Sequence, residues 1–296
     1  MIPQFLLELL ENQYGEEITK KIIDGYNSKR VVTLRINEIK AKPGEVENEL
    51  ERNNIEWEKV SWSKTALILK HVTEKNVHDL DIYKNGKIYL QSLSSMLPPI
   101  FLEPREKADI LDMAAAPGGK TTQMAAMTNN KAHITACEMN KIRAERLKFN
   151  IEKQGATSVY IMIEDARNID DLFLFDQILL DAPCSGSGTI DVQNSKLNKY
   201  FTLKLIEKCV KSQEILIRKA IQLLKPGKEM IYSTCSVLKA ENEQIIEEIL
   251  KEGKAKIVNL EPKEGIPLLP VKIKGTIGVC PNDLYEGFFI AKLRKI

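Results

Sequence analysis

Two cysteines in this chain stand where chemistry is done. Cys184 follows the apolar run "DQILLD" in Asp181-Ala182-Pro183-Cys184-Ser185-Gly186, and Cys235 closes the run "KEMIYSTC" within Ser233-Thr234-Cys235-Ser236. A thiolate at a strand end, near a helix N-terminus and a lysine, has a lowered pKa and becomes a nucleophile. Lys120, directly after a glycine turn, is the nearest candidate for that lysine. An isolated cysteine is more often a small buried hydrophobe, and Cys137, Cys209 and Cys280 take that reading. The five cysteines are scattered and odd in number. They make no disulfide framework and no CxxC pattern, so no metal site is expected.

Four acids share the placement of the two cysteines. Asp112, Glu138, Asp165 and Asp181 fall at or just after the ends of successive strand candidates. In a parallel sheet those ends share one rim, where ligands bind. Any one acid alone reads better as a helix N-cap. Four in register suit a ligand that carries ribose hydroxyls, an amine and an exocyclic amino group, because a carboxylate accepts from each. They would repel a pyrophosphate, and the chain lacks G-x-G-x-x-G, which argues against a dinucleotide. S-adenosylmethionine fits. The stretch "ILDMAAAPGGK", Ile110 to Lys120, supplies its seat: a short strand ending at Asp112, a turn at Ala116-Pro117-Gly118-Gly119, then a helix. Glycines without a Cβ let a ligand approach the backbone. The helix N-terminus offers N–H groups that lack intrahelical partners. Glu138, ending "HITACE", can accept from ribose hydroxyls.

These positions require a particular scaffold. Strand candidates at 109–112, 133–138, 159–163, 176–181, 229–234 and 286–293 alternate with helix candidates at 119–127, 140–154, 203–224 and 240–252. That alternation predicts an α/β fold with a doubly wound, mostly parallel sheet. The last run, "EGFFIAKL", is expected as an antiparallel strand near the sheet edge. Upstream, residues 1–28 read as two short helices broken near Gly15. A strand at 30–37, a helix over "GEVENELERNN" and a strand pattern around 66–72 follow. Two strand-like runs then flank a turn at Asn85-Gly86. This is a small α+β subdomain. Pro98-Pro99 and Pro104 punctuate the start of the second part. The expected division is 1–90 for the helices and small subdomain and 91–296 for the larger domain.

Composition is that of an ordinary globular chain, 43% hydrophobic and 28% charged over 296 residues. No apolar run is long enough for a bilayer. The N-terminus "MIPQFLLELLENQYGEE" has no basic region and no cleavage site, and reads as an amphipathic helix, so the chain is expected in the cytoplasm. The net charge of +2 is small, but Lys196 to Lys228 holds nine Lys/Arg against two Glu. The helix after Glu138 adds Lys141, Arg143, Arg146, Lys148 and Lys153. Such stretches can follow a phosphate backbone; the competing reading is a solvated helix face.

"DMAAAPGGKTT", "DAPCSGSG" and "YSTCS", in this order and spacing, resemble the Sun-type (Fmu-like) RNA cytosine-C5 methyltransferases. "YLQSLSSMLPP" also looks like that family, and "TLRIN" resembles it more weakly. The resemblance implies a Rossmann-like, class I methyltransferase domain that binds S-adenosylmethionine, preceded by an RNA-recognition-like α+β subdomain. It implies that Ala114, Ala115, Ala116, Pro117, Gly118, Gly119 and Lys120 wrap the methionine end, Glu138 holds the ribose and Asp165 the adenine amino group. Arg143 would also touch the cofactor, and Asp181 would serve cofactor and target base. Cys235 matches the family's nucleophile and Cys184 the second cysteine that helps release product. Lys120 is expected beside Asp181. The partner implied is RNA, ribosomal or transfer, with an unstacked cytosine, and the protein is expected to be a monomer. Two departures stand out: Ala114 where the family often has Cys, and "DVQNSKLNKYF" in place of an Arg-rich run. A catalytically idle RNA-binding factor and a DNA cytosine methyltransferase, whose nucleophile would be Cys184, are the alternatives.

Overall fold

A computed structural model describes residues 2–192 and 200–296. Most of the "DVQNSKLNKYF" departure and the start of the basic stretch at Lys196 lie outside the described residues. The chain forms two compact units: Val31–Leu179 with Lys263–Gly265, and Met1–Arg30 with Leu180–Pro262 and Ile266–Ile296.

The unit around Val31–Leu179 opens with β1 (Val32–Ile36), β2 (Trp57–Val60), β3 (Ser63–Leu69) and β4 (Ile88–Leu90). They form one antiparallel sheet in the order β2-β3-β1-β4. The helix Pro43–Arg52 starts with proline at its first position, where no N–H is needed. It buries Val46 and Leu50 against Leu34, Ile36, Leu67 and Ile88. The strand expected before Asn85-Gly86 is instead a helical turn, Asp81–Lys84. Val77 and Leu80 enter the same core at helical spacing, and Lys84 N–H closes on the Leu80 carbonyl. The alternation of Leu80 with Ile82 imitated a strand. Nor do the two prolines break the chain: the helix Leu93–Leu102 runs through Pro98 and Pro99. Pro99 has no N–H for the Ser95 carbonyl, and Gln91 Nε2 donates to that oxygen instead at 3.1 Å.

The same unit continues into a parallel sheet. β5 (Asp109–Asp112), β6 (His133–Cys137), β7 (Val159–Met162) and β8 (Phe175–Asp181) lie in the order β8-β5-β6-β7. Helices Gly119–Met127 and Lys141–Gln154 make the two crossovers. The second is capped by Asn140, whose side chain accepts from Arg143 N–H, and ends at Gly155 in the left-handed region.

The other unit carries the N-terminal helix Gln4–Asn27, broken at Gly15, whose φ of 76° and ψ of 170° leave the helical region. Leu6, Leu10, Ile22 and Tyr26 from this helix pack with Ile206, Val237, Leu238 and Leu269. Its strands are β9 (Leu224–Thr234), β10 (Ala255–Val258), β11 (Leu268–Leu269), β12 (Ile277–Val279) and β13 (Phe288–Lys295). β13 is the strand foreseen in "EGFFIAKL" and is antiparallel, but it is interior. It pairs with β9 along one side and with β12 and β10 along the other. Both of its faces are buried from Phe288 to Leu293. β10 and β12 are only four and three residues long, too short for a strand pattern to stand out in the sequence. Helices Leu203–Leu223 and Glu243–Lys251 complete the unit. No described helix is long and apolar enough to cross a membrane.

Candidate active site

In the first unit the ends of β5, β6 and β7 carry three of the four acids. Parallel register sets Asp112 against Ala136 and Cys137 against Met162, so Glu138 and Asp165 follow on the same edge. Asp112 is 1% exposed, and its Oδ2 accepts from Thr121 Oγ1 at 2.7 Å. The turn between strand and helix is tied down from several sides. Ala115 N–H donates to the Cys137 carbonyl. Arg143 Nη2 donates to the Ala116 carbonyl at 2.8 Å, and Asn150 Nδ2 to the Pro117 carbonyl at 2.8 Å. Ala116-Pro117 is cis. Gly118 caps the helix at φ 106° and offers no side-chain acceptor to its first turn.

The two glycines are used first by the protein itself. A Cβ on Gly118 would sit 2.9 Å from Leu147 Cδ1, and one on Gly119 would sit 3.1 Å from the Tyr89 ring. Lys120 Nζ donates to Ser95 Oγ at 2.8 Å. Glu138 is almost fully buried. Its Oε1 accepts from Asn140 N–H at 2.8 Å, and its Oε2 lies 3.3 Å from Arg143 Nη1. Arg143 thus holds both the acid and the turn. Asp165 caps the short turn Ala166–Asn168 and chelates the Arg167 guanidinium through both oxygens. The hydrogen bonds from Arg167 hold its carboxyl below the usual range.

One contributor was not expected. Arg35 on β1 is 2% exposed. Its Nε donates to Gln91 Oε1 at 3.1 Å and its Nη2 to Thr122 Oγ1 at 3.1 Å, in the first turn of the helix after the glycines. Burial pushes the guanidinium down to about 10. Thr33, Arg35 and Asn37 place polar side chains at alternate positions on and just after β1, and all three are buried.

In the second unit the strand ends carry the cysteines. Ala182 N–H donates to the Ser233 carbonyl, and Ser233 Oγ donates to Asp181 Oδ1 at 2.7 Å. Both cysteines are free and half-buried, with Cys184 Sγ and Cys235 Sγ 2.9 Å apart. The Cys184 thiol is pushed well above the ordinary thiol range. Its hydrogen bond with Cys235 contributes most, followed by burial and the charges of Cys235 and Glu241. The lowered pKa expected from a helix end and a lysine is therefore not what Cys184 has; a neighbouring sulfur and a buried carboxylate oppose its ionisation. Cys137 and Cys209 are buried, as their bland reading requires, and burial pushes their thiols up to about 12 and about 11. Cys280 is half-buried.

A further residue missed in the sequence is Glu241, which is 0% exposed. Its Oε1 accepts from Ser185 N–H at 2.7 Å and from Gln213 Nε2 at 3.2 Å. Its Oε2 accepts from Ser185 Oγ and from Ser236 Oγ, each at 2.6 Å. It lies in the run "KAENEQ", which reads as a solvated helix start.

Two family models match this chain. "16S rRNA methyltransferase RsmB/F" covers residues 99–294, and the RsmF/B-like ferredoxin-like domain covers residues 2–75. The chain is 30% identical to the probable ribosomal RNA small subunit methyltransferase B of Bacillus subtilis, over 99% of its own length and 66% of the relative's. It is 35% identical to the tRNA (cytosine(49)-C(5))-methyltransferase of Pyrococcus abyssi, over 89% of this chain and 88% of that one. The crystal structure of NSun6 from Pyrococcus horikoshii, solved with SFG, superposes with a TM-score of 0.88 at 25% identity, covering 99% of this chain and 98% of that one. The chain spans only 56% of another relative, the ribosomal RNA small subunit methyltransferase F of Shewanella loihica. The parallel strands with their crossover helices are thus a class I methyltransferase fold carrying a small N-terminal ferredoxin-like subdomain, and the chain belongs to the RsmB/F family of Sun-type methyltransferases.

Proposed function

We propose that this protein methylates C5 of a cytosine in ribosomal or transfer RNA, using S-adenosylmethionine and a covalent cysteine adduct. The observation that carries the reading is the pair of sulfurs, 2.9 Å apart, just past the strand ends that bear Asp181 and Ser233. The relatives named for cytosine-C5 methylation of RNA lend it support.

The donor set of the first unit fits the cofactor. Acids at three adjacent strand ends accept from hydroxyl and amino groups, and the glycine-capped helix leaves its first turn without a side-chain cap. When bound, S-adenosylmethionine supplies a methyl group on a cationic sulfur. Residues Ala114 to Lys120 hold its methionine end, Glu138 the ribose and Asp165 the adenine amino group, with Arg143 fixing Glu138. Cytosine C5 is a poor nucleophile inside an aromatic ring. Addition of the Cys235 thiolate to C6 breaks the C5–C6 double bond and gives C5 enamine character. A proton shared between Asp181 and cytosine N3, with the same carboxyl accepting from the exocyclic amine, stabilises the charge that develops during addition. Once C5 is methylated, its proton passes to a base near Cys184, the C5–C6 double bond re-forms and Cys235 leaves as the thiolate that added.

Bisulfite sequencing of total RNA from cells with and without this protein tests the proposal. One cytosine that loses its methyl mark in the deletion supports it and fixes the substrate. An unchanged methylation map would sink it.

A further inference from the structure

The residues that directly follow the two cysteines share one anchor. Ser185, after Cys184, reaches Glu241 through both its N–H and its hydroxyl, and Ser236, after Cys235, reaches it through its hydroxyl. With Gln213 Nε2 these make four donors on two carboxylate oxygens, which fills the acceptor sites of an ionised carboxylate. Since Ser236 spends its proton on Glu241, Ser187 must be the donor in the 2.7 Å Ser187–Ser236 contact. Ser187 Oγ in turn accepts from Val237 N–H. The backbone of Glu241 is fixed as well, its carbonyl accepting from Tyr232 Oη at 2.6 Å. Gln213 also donates to the Pro183 carbonyl at 2.9 Å, one residue before Cys184.

We propose that Glu241 is the positioning residue of the cysteine pair: one buried carboxylate clamps the two loops and sets the separation of the two sulfurs. It acts through Ser185 and Ser236 and does not itself touch substrate. A charge buried this deeply, with no cation bonded to it among the described residues, is costly unless every acceptor site is filled. The proposal builds on the reading of Cys184 and Cys235 as the working pair. It is tested without assuming that any methyl transfer occurs.

The test is the equilibrium between the cysteine pair and glutathione. Two thiols and one oxidised glutathione yield one protein disulfide and two reduced glutathiones. The ratio measures how well the fold holds Cys184 Sγ against Cys235 Sγ, and peptide mapping by mass spectrometry identifies the pair. Glu241→Gln keeps the shape. Its amide oxygen can take the obligatory donors Ser185 N–H and Gln213 Nε2, while its amide N–H groups face the two hydroxyls, which can turn to accept. Glu241→Asp retracts the carboxylate by one methylene, and Ser236→Ala removes a single donor while leaving the rest in place. The expected result is a disulfide equilibrium within about threefold of wild type for Glu241→Gln and at least about tenfold weaker for Glu241→Asp and Ser236→Ala. Far-UV circular dichroism should show all three folded. Equal equilibria in all four proteins overturn the proposal. In methylation assays Glu241→Asp should lower kcat with little change in KM for RNA. A wild-type protein that methylates no RNA but still shows the graded disulfide equilibria would overturn the proposed function and leave the clamp standing.

Discussion

Cys184 Sγ and Cys235 Sγ lie 2.9 Å apart although the residues are 51 positions apart in the chain. At that distance the proton on one sulfur is a hydrogen bond to the other, and the two cannot be given the same task. The roles separate under substitution. Cys235→Ala should form no covalent adduct with RNA containing 5-fluorocytosine. Cys184→Ala should form the adduct and fail to resolve it, so that a protein–RNA species accumulates even with unmodified RNA. Denaturing gels and intact mass measurement read both outcomes, and the reverse pattern would exchange the roles.

The buried thiols give a pH dependence whose sign can be worked out. Cys137 ionises at about 12 in the folded chain, against 9.0 for an ordinary thiol, chiefly because it is buried and then because of the charges of Asp112 and Asp165. Above pH 9 the unfolded chain releases this proton while the folded chain keeps it. The stabilisation is complete below the ordinary thiol range and is lost as pH rises toward about 12. Urea unfolding followed through that window should show a shallower fall in stability for Cys137→Ala than for wild type. Parallel slopes would refute the assignment.

Glu138 is held by Asn140 N–H and Arg143. Glu138→Ala should weaken binding of S-adenosylhomocysteine by at least about tenfold, or about 1.4 kcal/mol. Arg143→Met should cost less, because Asn140 still orients the acid. Isothermal titration calorimetry with this product needs no RNA. Unchanged affinity in Glu138→Ala would remove the acid from the cofactor site.

Gly118 combines a φ of 106° with a neighbour, Leu147 Cδ1, that a Cβ would approach to 2.9 Å. Gly118→Ala should cost roughly 1–3 kcal/mol from backbone strain alone, read by denaturant unfolding. Pairing it with Leu147→Ala should return the steric part and leave the conformational part.

The helix–strand alternation from Asp109 onward was legible because each crossover carries its own local signals: Gly118, Asn140 and Gly155 mark where helices start and stop. The cysteines and acids were legible for the same reason, since each closes an apolar run. Three things were not. Pro98 and Pro99 pointed to a break, yet a side chain from outside the helix, Gln91, supplies the lost donor. Arg35 and Glu241 look like ordinary surface charges in the sequence. Their burial depends on partners 56 to 87 positions away for Arg35 and, for Glu241, on Ser185 and Gln213, 56 and 28 positions away, as well as on the nearby Ser236. The thiol of Cys184 went the opposite way from expectation for the same reason: its closest influence, Cys235, is remote in the chain.

The bonds of Arg35 have a consequence for how this protein can be taken apart. A family model ends its ferredoxin-like segment at residue 75, but the guanidinium from β1 is satisfied by Gln91 and by Thr122, well past that point. A fragment ending at residue 75 would leave the buried Arg35 guanidinium without Gln91 and Thr122. Within the compact unit Val31–Leu179 the small sheet and the helix after the glycine turn are joined by a buried polar contact. Grafting that small sheet onto another protein would therefore require carrying Gln91 and Thr122 along with it.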